Sequence, residues 1–191
     1  MPGRQAKLIT PPMLRRMLRQ VGSRRTKKRD RVMILLSAKA GLRAAEIAKL
    51  EWSMVLDARG KVADSLSIPD AIAKKRGGRR IPLHPDLRRA LVLLKGGAPF
   101  DGAVIRSTRG GSMRPSSIVN WFAFLFRDLG YDGCSSHSGR RTFITTAARN
   151  AVKTGCSLRD VQMLAGHKSI EVTQGYIDGD TPAQRRLVAR L

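Results

Sequence analysis

The spacing of apolar residues in this chain switches twice, and that double switch limits the fold more than any other feature. Between Thr10 and Trp52 apolar residues recur at helical intervals. From Ser53 to Leu83 they fall into short extended runs holding Val55, Val62, Leu66, Ile68 and Ile81, and beyond His84 the helical interval returns. A 3.6-residue period buries one face of a helix, and a period of two buries one face of a strand. Helices around a small antiparallel sheet are therefore expected, an α+β fold that is mostly helical. A chain of 191 residues is long enough for one domain with a real core.

Local signals divide the chain further. Residues 1–8 read as a loose basic tail ahead of a single domain over 9–191. Thr10, Pro11 and Pro12 cap and open a helix that closes at Gly22 and shows Met13, Leu14, Met17, Leu18 and Val21 on one face. RRTKKRDR (24–31) puts six cations in eight positions; it reads as a solvated connector, with phosphate contact as the second reading. Val32–Ala40 is a buried helix ending at Gly41, and GLRAAEIAKLEW (41–52) starts a short helix at Arg43. A cation there opposes the helix macrodipole, a conflict expected where a bound phosphate dictates the residue.

Asp57–Gly60 and Gly77–Gly78 mark turns of the small sheet, the second carrying KKRGGRR (74–80). His84 reads as a cap or surface residue before a helix bearing Leu87, Leu91 and Leu94. RSTRGGSMR (106–114) is a basic, Gly-rich loop without the G-K-[ST] ending of a nucleotide-binding loop. Ser116–Leu129 reads as a helix whose aromatics, Trp121, Phe122, Phe124 and Phe126, pack in the core rather than stack on bases. Thr181 and Pro182 open a last short helix with Leu187, Val188 and Leu191.

Charge narrows the function. The chain carries 37 Lys and Arg against 14 Asp and Glu, a formal +23. Such an excess repels itself unless a polyanion meets it, and nucleic acid is the leading partner. A protein that merely neutralises RNA or DNA is the plain alternative. No apolar run approaches the roughly 20 residues that span a bilayer, and no signal segment opens the chain. Cys134 and Cys156 lack metal-ligand spacing, so buried thiols in a reducing setting are expected. No membrane contact is implied, and the expected location is the cytoplasm.

Chemistry concentrates in SSHSGRRTFITTAARNAVKTGCSLRDVQMLAGHKSIEVTQGYID, residues 135–178. His137 and Arg140 stand at i and i+3, where a helix turns both toward one ligand. His167 follows a glycine, and Tyr176 closes a T-x-x-Y. This order, H-x-x-R, G-H, T-x-x-Y, resembles the C-terminal signature of the tyrosine recombinases, the phage-integrase family. The 41–52 string is similar to that family's first conserved box, and KKRGGRRIPL is similar to its β-hairpin motif. The resemblance covers roughly residues 8–180.

The resemblance implies an integrase-type catalytic domain. The separate N-terminal core-binding domain that most members carry is expected to be absent, a departure from the family read as either a naturally minimal member or a trimmed chain. The resemblance also implies a site-specific recombinase that breaks and rejoins double-stranded DNA through a 3′-phosphotyrosyl link, as a homotetramer on DNA, with no cofactor and no metal. Tyr176 would be the nucleophile, and Arg43 and Arg140 would clamp the phosphoryl oxygens. His137 would move protons, His167 would hydrogen-bond the phosphate, and Glu46 would orient Arg43 or a neighbour. The hairpin lysine, counted back from Pro82, is Lys74, with Lys75 the alternative one residue on; it would protonate the leaving 5′-oxygen. Lys75, Arg76, Arg79, Arg80, Arg109 and Arg141 are the candidate DNA-backbone contacts. Guanidinium groups suit the task because they stay charged and bind two oxygens at once. A phenol with a reference pKa of about 10 needs such cations nearby to act as a nucleophile. Two other readings share these residues: type IB topoisomerase-like relaxation, and a DNA-binding accessory protein with a decayed site.

Overall fold

The computed structural model describes residues 5–73, 78–96 and 101–176, with 185, 188 and 189 near the C-terminus. Eight α-helices, two short 3₁₀ helices and one two-stranded antiparallel sheet are seen among them, matching the expected mostly helical α+β class.

Helix α2 (Lys27–Ala40) is the axle. Val32 to Ala38 and Ala40 are all buried, and a helix that is apolar on every side must be surrounded by other elements. Helix α1 (Pro11–Gly22), α4 (Pro85–Lys95) and α6 (Ser138–Ala151) pack around it. Thr10 caps α1, accepting from the Met13 amide, and Pro11 and Pro12 fill its first turn. Gly41 ends α2 with φ +66°, and a Cβ there would overlap the Phe143 ring of α6. That one position needs glycine for both backbone and space. Just beyond it, Arg43 enters the short helix α3 (Ala44–Ala48).

The sheet pairs β1 (Ser65–Ile68) with β2 (Arg79–Pro82), Leu66 opposite Ile81 and Ile68 opposite Arg79. Leu66, Ile68 and Ile81 are buried. The expected turn at Asp57–Gly60 is present, flanked by a single bridge between Leu56 and Val62. Helix α5 (Pro115–Asp128) follows the 106–114 loop, and α7 (Leu158–Ala165) and α8 (Ile170–Gln174) complete the site end of the molecule. Beside the main core lies a small cluster of Ile144, Ala151, Val161 and Ala165, with Phe143 and Tyr176 packed against it.

Several expectations are corrected. The 24–31 run is only partly a connector: α2 begins at Lys27, and Asp30 is buried with bonds from Thr26 (2.8 Å) and Arg29 (3.0 Å). A buried carboxylate recruits the surrounding cations into structure. Within α5, Phe122 and Phe126 are core residues, but Phe124 is 60% exposed, its ring beneath the Arg127 guanidinium. Two residues along a helix is about 200°, which sends Phe124 to the far face. Cys156 is exposed and Cys134 half-buried, so neither is the buried thiol expected. Residues 5–8 are tied down rather than loose, through Lys7 N–H to Gly133 O (2.9 Å) and an Arg141 bond to Ala6 O. The expected last helix lies, apart from residues 185, 188 and 189, outside the described residues. Among the described residues no helix is long and apolar enough to cross a membrane.

Gly139 of α6 sits flat on α2: a Cβ there would overlap the Ser37 hydroxyl and lie 2.9 Å from Ser37 Cβ. Gly139→Ala is expected to lower the unfolding free energy by about 1–3 kcal/mol, the usual cost of overpacking. Denaturant unfolding with an unchanged m-value checks this; a midpoint equal to wild type would contradict so tight an α2–α6 contact.

Candidate active site

Glu46, 1% exposed, lies at the base of the site. Its Oε2 accepts from the Arg43 backbone amide at 2.9 Å, a bond that fixes Arg43 at the head of α3. Its Oε1 accepts from Arg43 Nη1 at 3.1 Å. Arg79 of β2 reaches the same carboxylate from the other side, Nη1 to Oε1 at 3.0 Å and Nη2 to Oε2 at 3.1 Å. Burial pushes the Glu46 pKa up, but the bonds and charge of Arg79, then of Arg43, hold it below the ordinary carboxylate value.

Arg140, on α6, is 2% exposed. Nη1 donates to Gly41 O and Nη2 to Ala165 O, each at 2.6 Å. Those carbonyls terminate α2 and α7, where free acceptors and the negative ends of helix dipoles welcome a cation. Nη2 also lies 3.0 Å from His167 Nε2. A guanidinium has donors only, so Nε2 must accept and the imidazole is neutral with its proton on Nδ1. That proton is directed at Thr173 Oγ1, 3.0 Å away. Burial, reinforced by Arg140, Arg43 and Arg79, lowers the His167 pKa to about 4. Burial and the neighbouring Arg43 lower Arg140 to about 10, so it stays charged at neutral pH.

The Tyr176 ring stacks on His167, centroids 5.4 Å apart and planes 25° apart. Its carbonyl accepts from Thr145 Oγ1 at 3.1 Å, which tethers the end of α8 to α6. His137 is exposed at the N-terminal edge of α6. Arg43, His137, Arg140, Arg141 and Tyr176 line one cavity of about 430 Å³, open beside Gln5 and Ala6 of the N-terminal segment.

Of the six residues expected to form the site, five are thus brought together: Arg43, His137, Arg140, His167 and Tyr176. Lys74 lies outside the described residues, as do Lys75 and Arg76. Arg80 and Arg109 are exposed, and Arg141 forms part of the cavity wall. Arg79 is corrected: its side chain is only 4% exposed and faces Glu46, not solvent. The phosphate bond implied for His167 also differs, since both of its ring nitrogens are engaged inside the protein. Sequence reasoning missed Thr145, Thr173 and Gln162, whose Nε2 holds the His167 carbonyl at 3.0 Å. Thr173 stood in the T-x-x-Y signature, one helical turn before the tyrosine, and that spacing was its signal. Among the described residues no three His, Cys, Asp or Glu side chains gather as metal ligands.

Arg43, His137, Arg140 and Tyr176 thus share one cavity, with His167 joined to it through Arg140 and the Tyr176 ring. Residues 7–181 match the phage integrase family, and the chain belongs to it. It is 30% identical over 137 residues to tyrosine recombinase XerC of Brucella suis biovar 1, covering 66% of this chain and 42% of the relative. Its fold superposes on the Tn1549 transposon integrase solved with a circular intermediate DNA, with TM-score 0.74 and 17% identity, covering 100% of this chain and 67% of that one. The integrase of mycobacterium phage Brujita gives TM-score 0.62 and 26% identity over 97% of this chain and 57% of that one. The chain spans less than half the length of the curated relatives it matches.

His167 supplies a test by pH. Its folded pKa of about 4 lies below the ordinary value near 6.5. The unfolded chain therefore takes up the proton first, and stability is expected to decline as pH falls from about 6.5 toward 4. An NMR titration should show the His167 ring neutral with hydrogen on Nδ1 down to about pH 5. Protonation near pH 6.5 would contradict the Arg140–His167 bond.

Proposed function

We propose that this chain breaks and rejoins DNA strands as a site-specific recombinase, with Tyr176 as the nucleophile. The observation that carries the reading is the chain of contacts from Tyr176 through the stacked His167 to Arg140, with Arg43 on the same cavity. The Tyr176 oxygen attacks phosphorus, the P–O5′ bond breaks, and a 3′-phosphotyrosyl ester replaces the phosphodiester. The phenolic proton leaves by way of His137, whose imidazole stands at the cavity mouth. The departing 5′-oxygen takes a proton from Lys74. One ester replaces another, so attack by a 5′-hydroxyl reseals the strand without ATP.

Charge on the non-bridging oxygens grows during attack, and preformed guanidinium donors stabilise it with little reorganisation. Arg140 spends three of its five N–H groups on Gly41, Ala165 and His167, which orients the remaining two for an oxyanion. His167 therefore serves first as a brace for Arg140. Duplex DNA is the substrate this basic surface fits, and recombination between two sites would engage four copies of the chain. Exposed Arg80 and Arg109 suit DNA-backbone contacts, and the same role is assigned to Lys75 and Arg76 on their chemistry alone.

Tyr176→Phe should bind duplex DNA like wild type and form no covalent adduct on a nicked suicide substrate. Arg140→Ala should slow adduct formation by at least 100-fold, the scale of losing one such donor. Binding should weaken steeply with salt as condensed counterions are released. A Tyr176→Phe protein that still forms adduct, or an affinity indifferent to salt, would overturn the reading.

A further inference from the structure

We propose that Arg79 is a positioning residue for strand cleavage: it holds Glu46 and the end of α7, so that Arg43 faces the same phosphate as Arg140 and His167 stays in place to brace Arg140. The inference rests on the strand-cleavage reading above.

Strand parity sends Arg79 inward. Side chains two apart in a strand share a face, so Arg79 goes with buried Ile81 while Arg80 points to solvent. Inside, Arg79 meets a carboxylate that has almost no access to water. Each Glu46 oxygen accepts one bond from Arg43 and one from Arg79, all between 2.9 and 3.1 Å. Because Arg79 takes its share, Arg43 commits only its amide and Nη1 to Glu46. The Arg43 side chain stays 22% exposed, on the cavity wall. Without Arg79, the vacated lone pairs would draw the Arg43 fork down into a two-pronged pair with Glu46, since leaving a buried carboxylate half-satisfied is costly. The charge that should meet the phosphate would then be spent inside the protein.

A second contact points the same way. Arg79 Nε donates to Leu164 O at 2.9 Å, and Arg140 donates to the adjacent Ala165 O. Two arginines thus cap the last carbonyls of α7, immediately before Gly166 and His167. Arg79 is also among the cations that keep His167 neutral and able to accept from Arg140.

The test is single-turnover cleavage of a nicked suicide substrate, with rates normalised to folded protein by circular dichroism. R79Q should cleave at least 100-fold more slowly at saturating DNA, with Kd within threefold of wild type and the salt slope of binding unchanged. R79K, which keeps the charge but not the fork, should be slowed about tenfold, and it carries the test if R79Q is poorly folded. E46Q added to R79Q should cost less than a further threefold, because the two act as one unit. A methylphosphonate at the scissile position has one negative charge less to clamp. It should narrow the gap between R79Q and wild type by at least tenfold, a rescue that a merely structural role would not give.

A salt slope reduced by about one, with a normal rate at saturation, would make Arg79 a direct phosphate contact and overturn the inference. So would multiplicative losses in the double variant, or a gap untouched by the methylphosphonate. Adduct formed by wild type and by R79Q at equal rates defeats this inference alone. No adduct from wild type defeats the cleavage reading, and this inference with it.

Discussion

The bond set around Glu46 comes before everything else at this site. A carboxylate at 1% exposure has lost its hydration, and the loss is offset only if every lone-pair direction finds a donor. Arg43 and Arg79 supply those donors from two segments far apart in the chain, α3 and β2. Once they are in place, three guanidinium groups and one carboxylate share a small volume with a surplus of positive charge. The remainder is absorbed by backbone: Arg140 and Arg79 bind carbonyls at the ends of α2 and α7, where acceptors are left over by helix geometry. The cluster is therefore stable without DNA yet still electropositive toward the cavity.

The proposed nucleophile rests on weaker ground, and that suits its role. Tyr176 packs against the small cluster of Ile144, Ala151, Val161 and Ala165, not the main core. A five-residue helix, a threonine bond to its carbonyl and a stacked imidazole hold it in place. Such contacts belong to the low-stability end of a fold, from which moving catalytic parts are drawn. Arg79 and Arg140, by contrast, are bonded to carbonyls at the ends of α2 and α7.

Much of this was legible beforehand. The helix at Val32–Ala40 announced itself by apolar density, and the caps at Thr10 and His84 by residue type. Four site residues, His137, Arg140, His167 and Tyr176, followed from one motif order, and Arg43 was marked by the 41–52 string and its conflict with the helix dipole. What stayed hidden was the direction in which long side chains point. Arg79 and Arg80 are neighbours of identical chemistry, and only the parity of β2 against Ile81 sends one inward. The same ambiguity hid Asp30, a lone acid in a basic run that turns out to be buried. Phe124 shows the converse: its place in an apolar, aromatic-rich helix suggested the core, and helical phase put it outside. The roles of Thr173 and Gln162 needed coordinates, because they act on His167 through a turn whose shape Gly166, at φ +64°, alone permits.

The central claim is that the phenol of Tyr176 attacks a phosphate held by Arg43 and Arg140. Trapping the covalent complex on nicked DNA, digesting it and mapping the DNA-bearing peptide by mass spectrometry tests this most directly. The account predicts a single linkage, from the 3′-phosphate to the Tyr176 oxygen. Attachment at Tyr131 or at any serine, or no linked peptide from folded and DNA-bound protein, would contradict it.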